Sequence, residues 1–154
     1  MGATAPCDIC RRIARLTPDN PYFVAELETG YAVLGDHQIY RGYTVFIAKQ
    51  CVGELHLLPP ETRTRFLEEM ALVAEGVFRA FSPRKLNYEL LGNSVRHLHW
   101  HLFPRHDDDP SPTWPVWNNP DVTAAATSRA AVDPTVLADL RERLRAALAE
   151  VRAR

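Results

Sequence analysis

The sequence lacks any long apolar run. No stretch approaches the roughly 18 consecutive apolar residues that a membrane-spanning helix needs, and the first residues show neither the apolar segment nor the small-residue cleavage site of a secretory signal. We therefore expect a soluble, cytoplasmic protein with no membrane partner.

The net charge is also small, because 18 lysines and arginines nearly balance 19 aspartates and glutamates. This balance argues against nucleic acid as the main partner. Any polyphosphate ligand must therefore be held by a few local groups. The 154 residues, 46% of them hydrophobic, are enough for one compact domain and too few for two ordinary ones.

Cysteine is scarce. The three cysteines are an odd number, which fits a reducing compartment better than a disulfide framework. Two of them form the pair Cys7-Asp8-Ile9-Cys10, which is compatible with a redox couple or with a metal site. Because no thioredoxin-like strand precedes the pair, metal binding is the better interpretation.

Five runs have the composition of β-strands, and the first three are expected to form an antiparallel meander. They are residues 22–27, 31–35, 43–48, 86–91 and 97–103. A short helix is predicted over residues 11–16, and a long one over 61–81, where apolar residues recur at helical spacing. A last helix is predicted to start at Asp133-Pro134 and to run to the end of the sequence. The fold class is therefore α+β.

The fifth strand alternates histidine with apolar residues. Its sequence is His97-Leu98-His99-Trp100-His101-Leu102-Phe103, so a strand places the three imidazoles on one face, roughly 6.5 to 7 Å apart. Such a row can follow a chain of phosphates. Three ligands of one metal are the alternative, but side chains in line along a strand converge poorly on an ion, and no adjacent carboxylate completes that site.

The pattern His-φ-His-φ-His-φ-φ, where φ is apolar, resembles the signature of the histidine triad family. The resemblance covers roughly residues 7–105, including the cysteine pair, the strand ending Phe46-Ile47-Ala48-Lys49 and the long helix. The run from Leu86 to Val95 resembles the branch of diadenosine polyphosphate hydrolase-like proteins. The resemblance implies a five-stranded antiparallel half-barrel sheet with one long helix, between a short N-terminal helix and a C-terminal helix.

The same resemblance implies the chemistry. Members cleave nucleoside monophosphate-X substrates, such as dinucleoside polyphosphates and adenylyl phosphoramidates, through a nucleotidyl-histidine on the middle histidine. Here that residue is His99, and His101 is expected to hydrogen-bond the phosphate or the leaving group. A slow or inactive nucleotide-binding regulatory protein of the same fold is the alternative, because Tyr43 stands where many relatives have histidine. A third hypothesis is an interaction module organised by zinc, but it gives no function to the row of histidines.

Four further residues are predicted, from the resemblance, to contact the nucleotide. Asn93 and Ser94 lie where family members cradle the phosphate, although a plain turn between two strands is the alternative. Asn87 is the weaker candidate on the preceding strand. Asp36 lies near the position of a ribose-binding acidic residue, and a solvated turn aspartate is an equal possibility.

The resemblance also implies a zinc site. Zinc-bearing members use a cysteine pair, a residue just after the lysine of the third strand, and the first histidine of the triad. These positions are occupied here by Cys7, Cys10, Cys51 and His97, a set suited to structural zinc. The alternatives are three free thiols, or His56 as ligand in place of Cys51.

The chain is predicted to be one domain with three parts. Residues 1–106 form the histidine triad region with its zinc-binding pair, residues 107–132 an irregular segment containing proline and tryptophan, and residues 133–154 the C-terminal helix. Residues 107–109 are expected to face solvent. Trp114 and Trp117 are expected either to fold over the site or to pack on the protein's own surface.

A homodimer is the expected assembly. The long helix carries apolar residues beyond its main stripe, namely Leu67, Ala71, Leu72 and Ala74, which indicates a second packing partner. Members of the resembled family commonly pair two chains through this helix and an edge strand.

Overall fold

A computed structural model describes residues 7–109, 111–128 and 131–154. Its strands are β1 (Phe23–Glu26), β2 (Gly30–Leu34), β3 (Thr44–Ala48), β4 (Lys85–Glu89) and β5 (His99–Arg105). They form one antiparallel sheet in the order β1-β2-β3-β5-β4. The predicted α+β class and the five-stranded antiparallel sheet are confirmed.

Within the described residues, four α-helices pack around the sheet. They are α1 (Asp8–Ile13), α2 (Pro60–Phe81), α3 (Pro120–Ser128) and α4 (Pro134–Arg152), and two short 3-10 helices lie at Leu55–Leu57 and Val116–Asn118. No helix among the described residues is long and apolar enough to cross a membrane.

Two helices differ from the prediction. Helix α1 begins at Asp8, before the predicted start, because the carboxylate of Asp8 lies in the first turn and favours the helix N-terminus. Helix α3 lies inside residues 107–132, which were expected to be irregular. The Asn119 side-chain oxygen accepts the Asp121 N–H at 3.0 Å, and Pro120 takes the first helical position. The division of the domain at residues 106 and 132 stays a prediction.

Helix α2 packs on one face of the sheet through its predicted apolar stripe. Phe66, Val73 and Val77 are completely buried there, and the Phe66 ring stacks on Phe46 of β3 with centroids 4.9 Å apart. Because each buried large side chain contributes roughly 1.5 to 3 kcal/mol, this contact fixes the position of the sheet centre, where β3 and β5 pair.

Helix α4 covers a second face of α2. Its N-cap Asp133 accepts the backbone N–H groups of Thr135 and Val136, as expected for a good capping residue. Its apolar stripe is buried as predicted; these residues are Leu137, Leu140, Leu144, Leu148 and Val151. A Cβ built at Gly76 of α2 would lie only 3.1 Å from Leu148, so the two helices approach closely.

The other face of the sheet is covered at both ends and holds the histidines between them. At one end Ile9 of α1 packs with Val33 and Ile47. At the other end the chain after β5 returns over the sheet, and its buried side chains pack on the rings of β3 and β5. These side chains are Val116 and Val122. In the pairing of β5 with β3, His99 lies opposite Ile47 and His101 lies opposite Val45. The two histidine side chains therefore lie on the same face as those two residues.

Candidate functional site

The alternation along β5 separates core from site. Leu102 joins the core under α2, whereas His99, His101 and Phe103 turn to the opposite face. The rings of His99 and His101 are 4.7 Å apart. Of the three imidazoles predicted to form a row, two do so, namely those of His99 and His101.

His97 departs from the row. The strand begins at His99, and the buried ring of His97 turns toward the N-terminal cysteines. Its Nε2 lies 2.7 Å from the carbonyl oxygen of Ala48, and because a carbonyl only accepts, Nε2 carries the proton. Nδ1 is then free of a proton and lies 3.5 Å from the sulfurs of both Cys7 and Cys10.

The four predicted metal ligands form one cluster. The sulfurs of Cys7, Cys10 and Cys51 and a ring nitrogen of His97 all lie within 4.8 Å of one another. Tetrahedral zinc with ordinary bond lengths would place a nitrogen and a sulfur ligand about 3.6 Å apart, which matches the two distances to His97 Nδ1. His56, the alternative ligand, is not part of the cluster. The donor set and its spacing therefore fit zinc.

Thiol ionisation supports the same conclusion. Burial, together with the nearby Cys51 and Cys7, raises the pKa of Cys10 to about 12. For Cys7, burial acts to raise the pKa, but opposing effects, of which the hydrogen bond from the Cys10 backbone is the largest, lower the pKa to about 7. A divalent metal would stabilise the thiolates of Cys7 and Cys10 next to each other.

His99 is oriented by a backbone group. Its Nδ1 lies 2.6 Å from the carbonyl oxygen of His97, so Nδ1 must donate and Nε2 keeps its lone pair. Burial lowers the pKa of His99, which favours the neutral ring at pH 7. This is the protonation state of a nucleophilic imidazole.

His101 has a side-chain partner instead. Its Nδ1 lies 2.7 Å from the hydroxyl of Tyr43. Burial, with a smaller effect of His99, lowers the pKa of His101 to about 3, so this ring is also neutral at pH 7. The site therefore presents two neutral imidazoles side by side.

A family model described as the HIT domain matches residues 20–108. The chain belongs to the HIT domain family. Members of this family are commonly nucleotide hydrolases or transferases. The matched residues contain both histidines of the site but not Cys7 or Cys10, which lie before them.

Individual relatives agree with the assignment to the HIT domain. The protein named Protein hit from Bacillus subtilis (strain 168) is 27% identical over 111 residues, which cover 69% of this chain and 75% of that protein. Two solved structures share the fold. A hypothetical histidine triad nucleotide-binding protein from Sulfolobus tokodaii strain7 has a TM-score of 0.71 at 23% identity, over 95% of this chain and 94% of that one. A Zn-bound histidine triad family protein from Mycobacterium smegmatis has a TM-score of 0.68 at 21% identity, over 96% of both chains.

The segment after the HIT domain's last strand is anchored by Arg105, which the sequence analysis missed. Its buried guanidinium pairs with the equally buried Asp109 at 2.9 Å and donates to the carbonyl oxygens of Ser111 and Trp114. Asp109 was expected to face solvent, and this expectation is wrong because Arg105 neutralises it. Arg105 continues the alternation of β5, which was the available signal.

Trp117, expected either to fold over the site or to pack elsewhere on the surface, borders the site together with Glu89, which was not among the predicted site residues. The ring of Trp117 meets His101 edge-on with centroids 5.6 Å apart, and its Nε1 donates to the carboxylate of Glu89. Glu89 pairs directly with His101 across β4 and β5. Burial raises the pKa of Glu89. The side chain of Trp114 is exposed instead, so Trp117 rather than Trp114 lies against His101.

The predicted nucleotide-binding residues occupy different positions. Asn93 and Ser94 are exposed in the loop between β4 and β5. Asp36 pairs with Arg12 of α1 at 3.0 Å, and the oxygen of Asn87 accepts from Arg105 at 2.9 Å. The structure thus gives Asp36 and Asn87 protein partners, and all four roles stay predictions.

Proposed function

We propose that this HIT domain hydrolyses or transfers nucleoside monophosphates from substrates of the form nucleoside monophosphate-X, with His99 as the nucleophile. One observation carries the proposal. The hydrogen bond from His99 Nδ1 to the His97 carbonyl leaves the Nε2 lone pair as the reactive position of a neutral, buried ring.

The reaction has two displacement steps. Nε2 of His99 attacks the α-phosphorus, so that a phosphorus–nitrogen bond forms as the bond from phosphorus to X breaks. X departs with the bonding electron pair and takes up a proton. Water then attacks the same phosphorus and loses a proton, the phosphorus–nitrogen bond breaks, and nucleoside monophosphate leaves. His99 returns to its starting form, and the sum is cleavage by one water molecule.

His101 is suited to the phosphate oxygens or the leaving group. Its ring adjoins that of His99, and as a neutral imidazole it has one N–H to donate. Donation to an oxygen that gains charge during displacement stabilises the transition state more than the ground state. Dinucleoside polyphosphates and adenylyl phosphoramidates both present such an oxygen.

Zinc would have a structural role next to this chemistry. The ion would be held by Cys7, Cys10, Cys51 and His97. It would supply fixed positive charge and would cross-link the start of α1 to the chain next to β3 and β5. The side chain of His97 would be held by the metal while its carbonyl orients His99. Such indirect orientation is common around metal ligands.

A homodimer is part of the proposal. Helix α4 covers one of the surplus apolar faces of α2, which satisfies part of the expected packing within one chain. Phe78 of α2 is still 47% exposed and Tyr88 of the edge strand β4 is 48% exposed. A second copy that covers α2 and β4 would bury both rings.

Substrate cleavage tests the function. We expect purified protein to release nucleoside monophosphate from at least one member of a panel of dinucleoside polyphosphates and nucleoside phosphoramidates. Quenching a reaction of labelled substrate with denaturant at alkaline pH, where the phosphorus–nitrogen bond survives, should trap label on the wild type and none on His99→Ala. The exposed His56 provides a matched control, and His56→Ala should retain both signals. Tight binding of the whole panel without cleavage would instead favour the regulatory nucleotide-binding protein.

A further inference from the structure

The backbone before Tyr43 is fixed by two residues. Gly42 has a φ of +90°, a conformation that disfavours any side chain, and a Cβ there would overlap the ring of Phe81. The amide group of Gln38 donates to the Tyr43 carbonyl at 3.0 Å, and its oxygen accepts the Gly42 N–H at 2.8 Å. The start of β3 is thereby held in place.

The Tyr43 ring fits a space made for it. A Cβ built at Gly35 would overlap this ring, so glycine at position 35 leaves room for tyrosine at position 43. The same ring stacks on Phe103 with centroids 4.1 Å apart, and its centroid lies 4.9 Å from that of the His37 ring. The hydroxyl is therefore aimed by a rigid ring.

The direction of the hydrogen bond to His101 follows from burial. Among the described residues, the Tyr43 hydroxyl has one hydrogen-bond partner, the Nδ1 atom of His101 at 2.7 Å. If Nδ1 donated, the buried hydroxyl proton would have no acceptor, and an unsatisfied buried donor is unfavourable. The hydroxyl therefore donates, and Nδ1 accepts.

We propose that Tyr43 is a positioning residue that holds His101 in the tautomer with its proton on Nε2. The proposal rests on the proposed function in that the Nε2 proton is offered to the substrate phosphate or leaving group. Tyr43 thus supplies a fixed hydroxyl donor to His101.

The electrostatics agree with this geometry. Burial raises the pKa of Tyr43, so the hydroxyl keeps its proton, and burial lowers the pKa of His101, so the ring has one proton to place. In a neutral imidazole the hydrogen bond made by one nitrogen determines which nitrogen carries the proton.

Nitrogen NMR of His101 in the substrate-free protein tests the tautomer. The wild type should show a proton on Nε2 and none on Nδ1, whereas Tyr43→Phe should show a mixture, because the ring is kept and only the donor is lost. Tyr40→Phe is the matched control. Tyr40 is equally buried, and its hydroxyl contacts Asn119 at 3.5 Å rather than His101, so this variant should leave the His101 signals unchanged.

Kinetics provide a second readout. Tyr43→Phe should lower kcat about tenfold with little change in KM, the size expected from losing one hydrogen bond that orients a catalytic group. Tyr43→His should recover part of the loss, since an imidazole can also donate to Nδ1. Tyr40→Phe should retain the wild-type kcat.

A proton on Nδ1 in the wild type, or an unchanged Nε2 tautomer in Tyr43→Phe, would overturn the proposal. The wild-type measurement needs no variant, so it decides the matter even if Tyr43→Phe does not fold. It also needs no turnover. A protein that cleaves nothing yet shows the Nε2 tautomer would therefore disprove the proposed function and leave the role of Tyr43 in orienting His101 intact.

Discussion

The Nδ1 atom of His99 lies 2.6 Å from the carbonyl oxygen of His97, so the residue that faces the cysteine cluster also orients the residue proposed to attack the substrate. One side of His97 faces the sulfurs and its backbone faces the site. Changes at the metal cluster are therefore expected to reach the reaction through this one peptide group, a distance of two residues.

Replacement of the nucleophile should abolish turnover without unfolding the protein. His99→Ala removes a ring that is not part of the apolar core, so the fold should persist while kcat falls by several orders of magnitude. Product formation and circular dichroism measure the two effects. Wild-type rates in this variant would show that another residue attacks the phosphorus.

Metal retention should depend on Cys51. The wild type, prepared without chelator, should contain about one zinc per chain, and Cys51→Ser should retain less and melt at a lower temperature, because bound zinc contributes to folding free energy. Metal analysis and thermal unfolding measure both. His56→Ala, close in sequence but outside the cluster, should match the wild type. Equal zinc loss in both variants would contradict the ligand set.

The periodicity of apolar residues predicted which side chains are buried within a single strand or helix. The burial of Leu102 and the exposure of His101 toward the site follow from one strand pattern, and the stripe of α4 follows from helical spacing. The assembly of Cys51 with the distant cysteine pair came from resemblance, because periodicity carries no information on contacts between separate elements.

Other features depend on register and on paired polar groups. The contact between Tyr43 and His101 requires β3 and β5 to pair with Thr44 opposite Leu102, which a single sequence does not specify. The buried pair of Arg105 and Asp109 has no apolar signature, since each charge is tolerated only because the other is present. The alternation of β5 marks Arg105, but its pairing with Asp109 becomes visible only once the chain after the strand is placed.

Loss of Arg105 should destabilise the fold. Arg105→Met leaves the carboxylate of Asp109 buried without its partner, and removal of one member of a buried pair costs roughly 3 to 5 kcal/mol. Arg84→Met breaks an exposed pair with Asp107, 3.1 Å long, and should cost less than about 1 kcal/mol. Urea unfolding compares them. Equal midpoints for the two variants would show that the buried pair does not stabilise the protein.

The proposed dimer should depend on the exposed rings of α2 and β4. Light scattering at micromolar concentration should return about twice the chain mass for the wild type. Phe78→Glu places a charge in the proposed interface and should shift the protein toward monomer. Val136→Glu changes another exposed apolar residue, on α4, and should remain dimeric. A wild-type monomer with full activity would remove the dimer from the mechanism.

Protonation of His101 should make stability depend on pH. Burial lowers the pKa of His101 to about 3 in the folded protein, whereas in the unfolded chain histidine titrates near about 6.5. As the pH falls below that value, the unfolded state binds a proton that the folded state does not, so folding becomes less favourable, by at most about 1.4 kcal/mol per pH unit. His101→Gln removes this proton uptake.

As the pH is lowered from 7.5 to 5, the free energy of unfolding of the wild type should therefore decrease more than that of His101→Gln. Urea unfolding of both proteins at several pH values measures the difference, and effects of acid on the cysteine cluster cancel because both proteins contain it. A difference that stays constant over this range would mean that His101 takes up its proton equally in the folded and unfolded states, and that burial does not lower its pKa in the site.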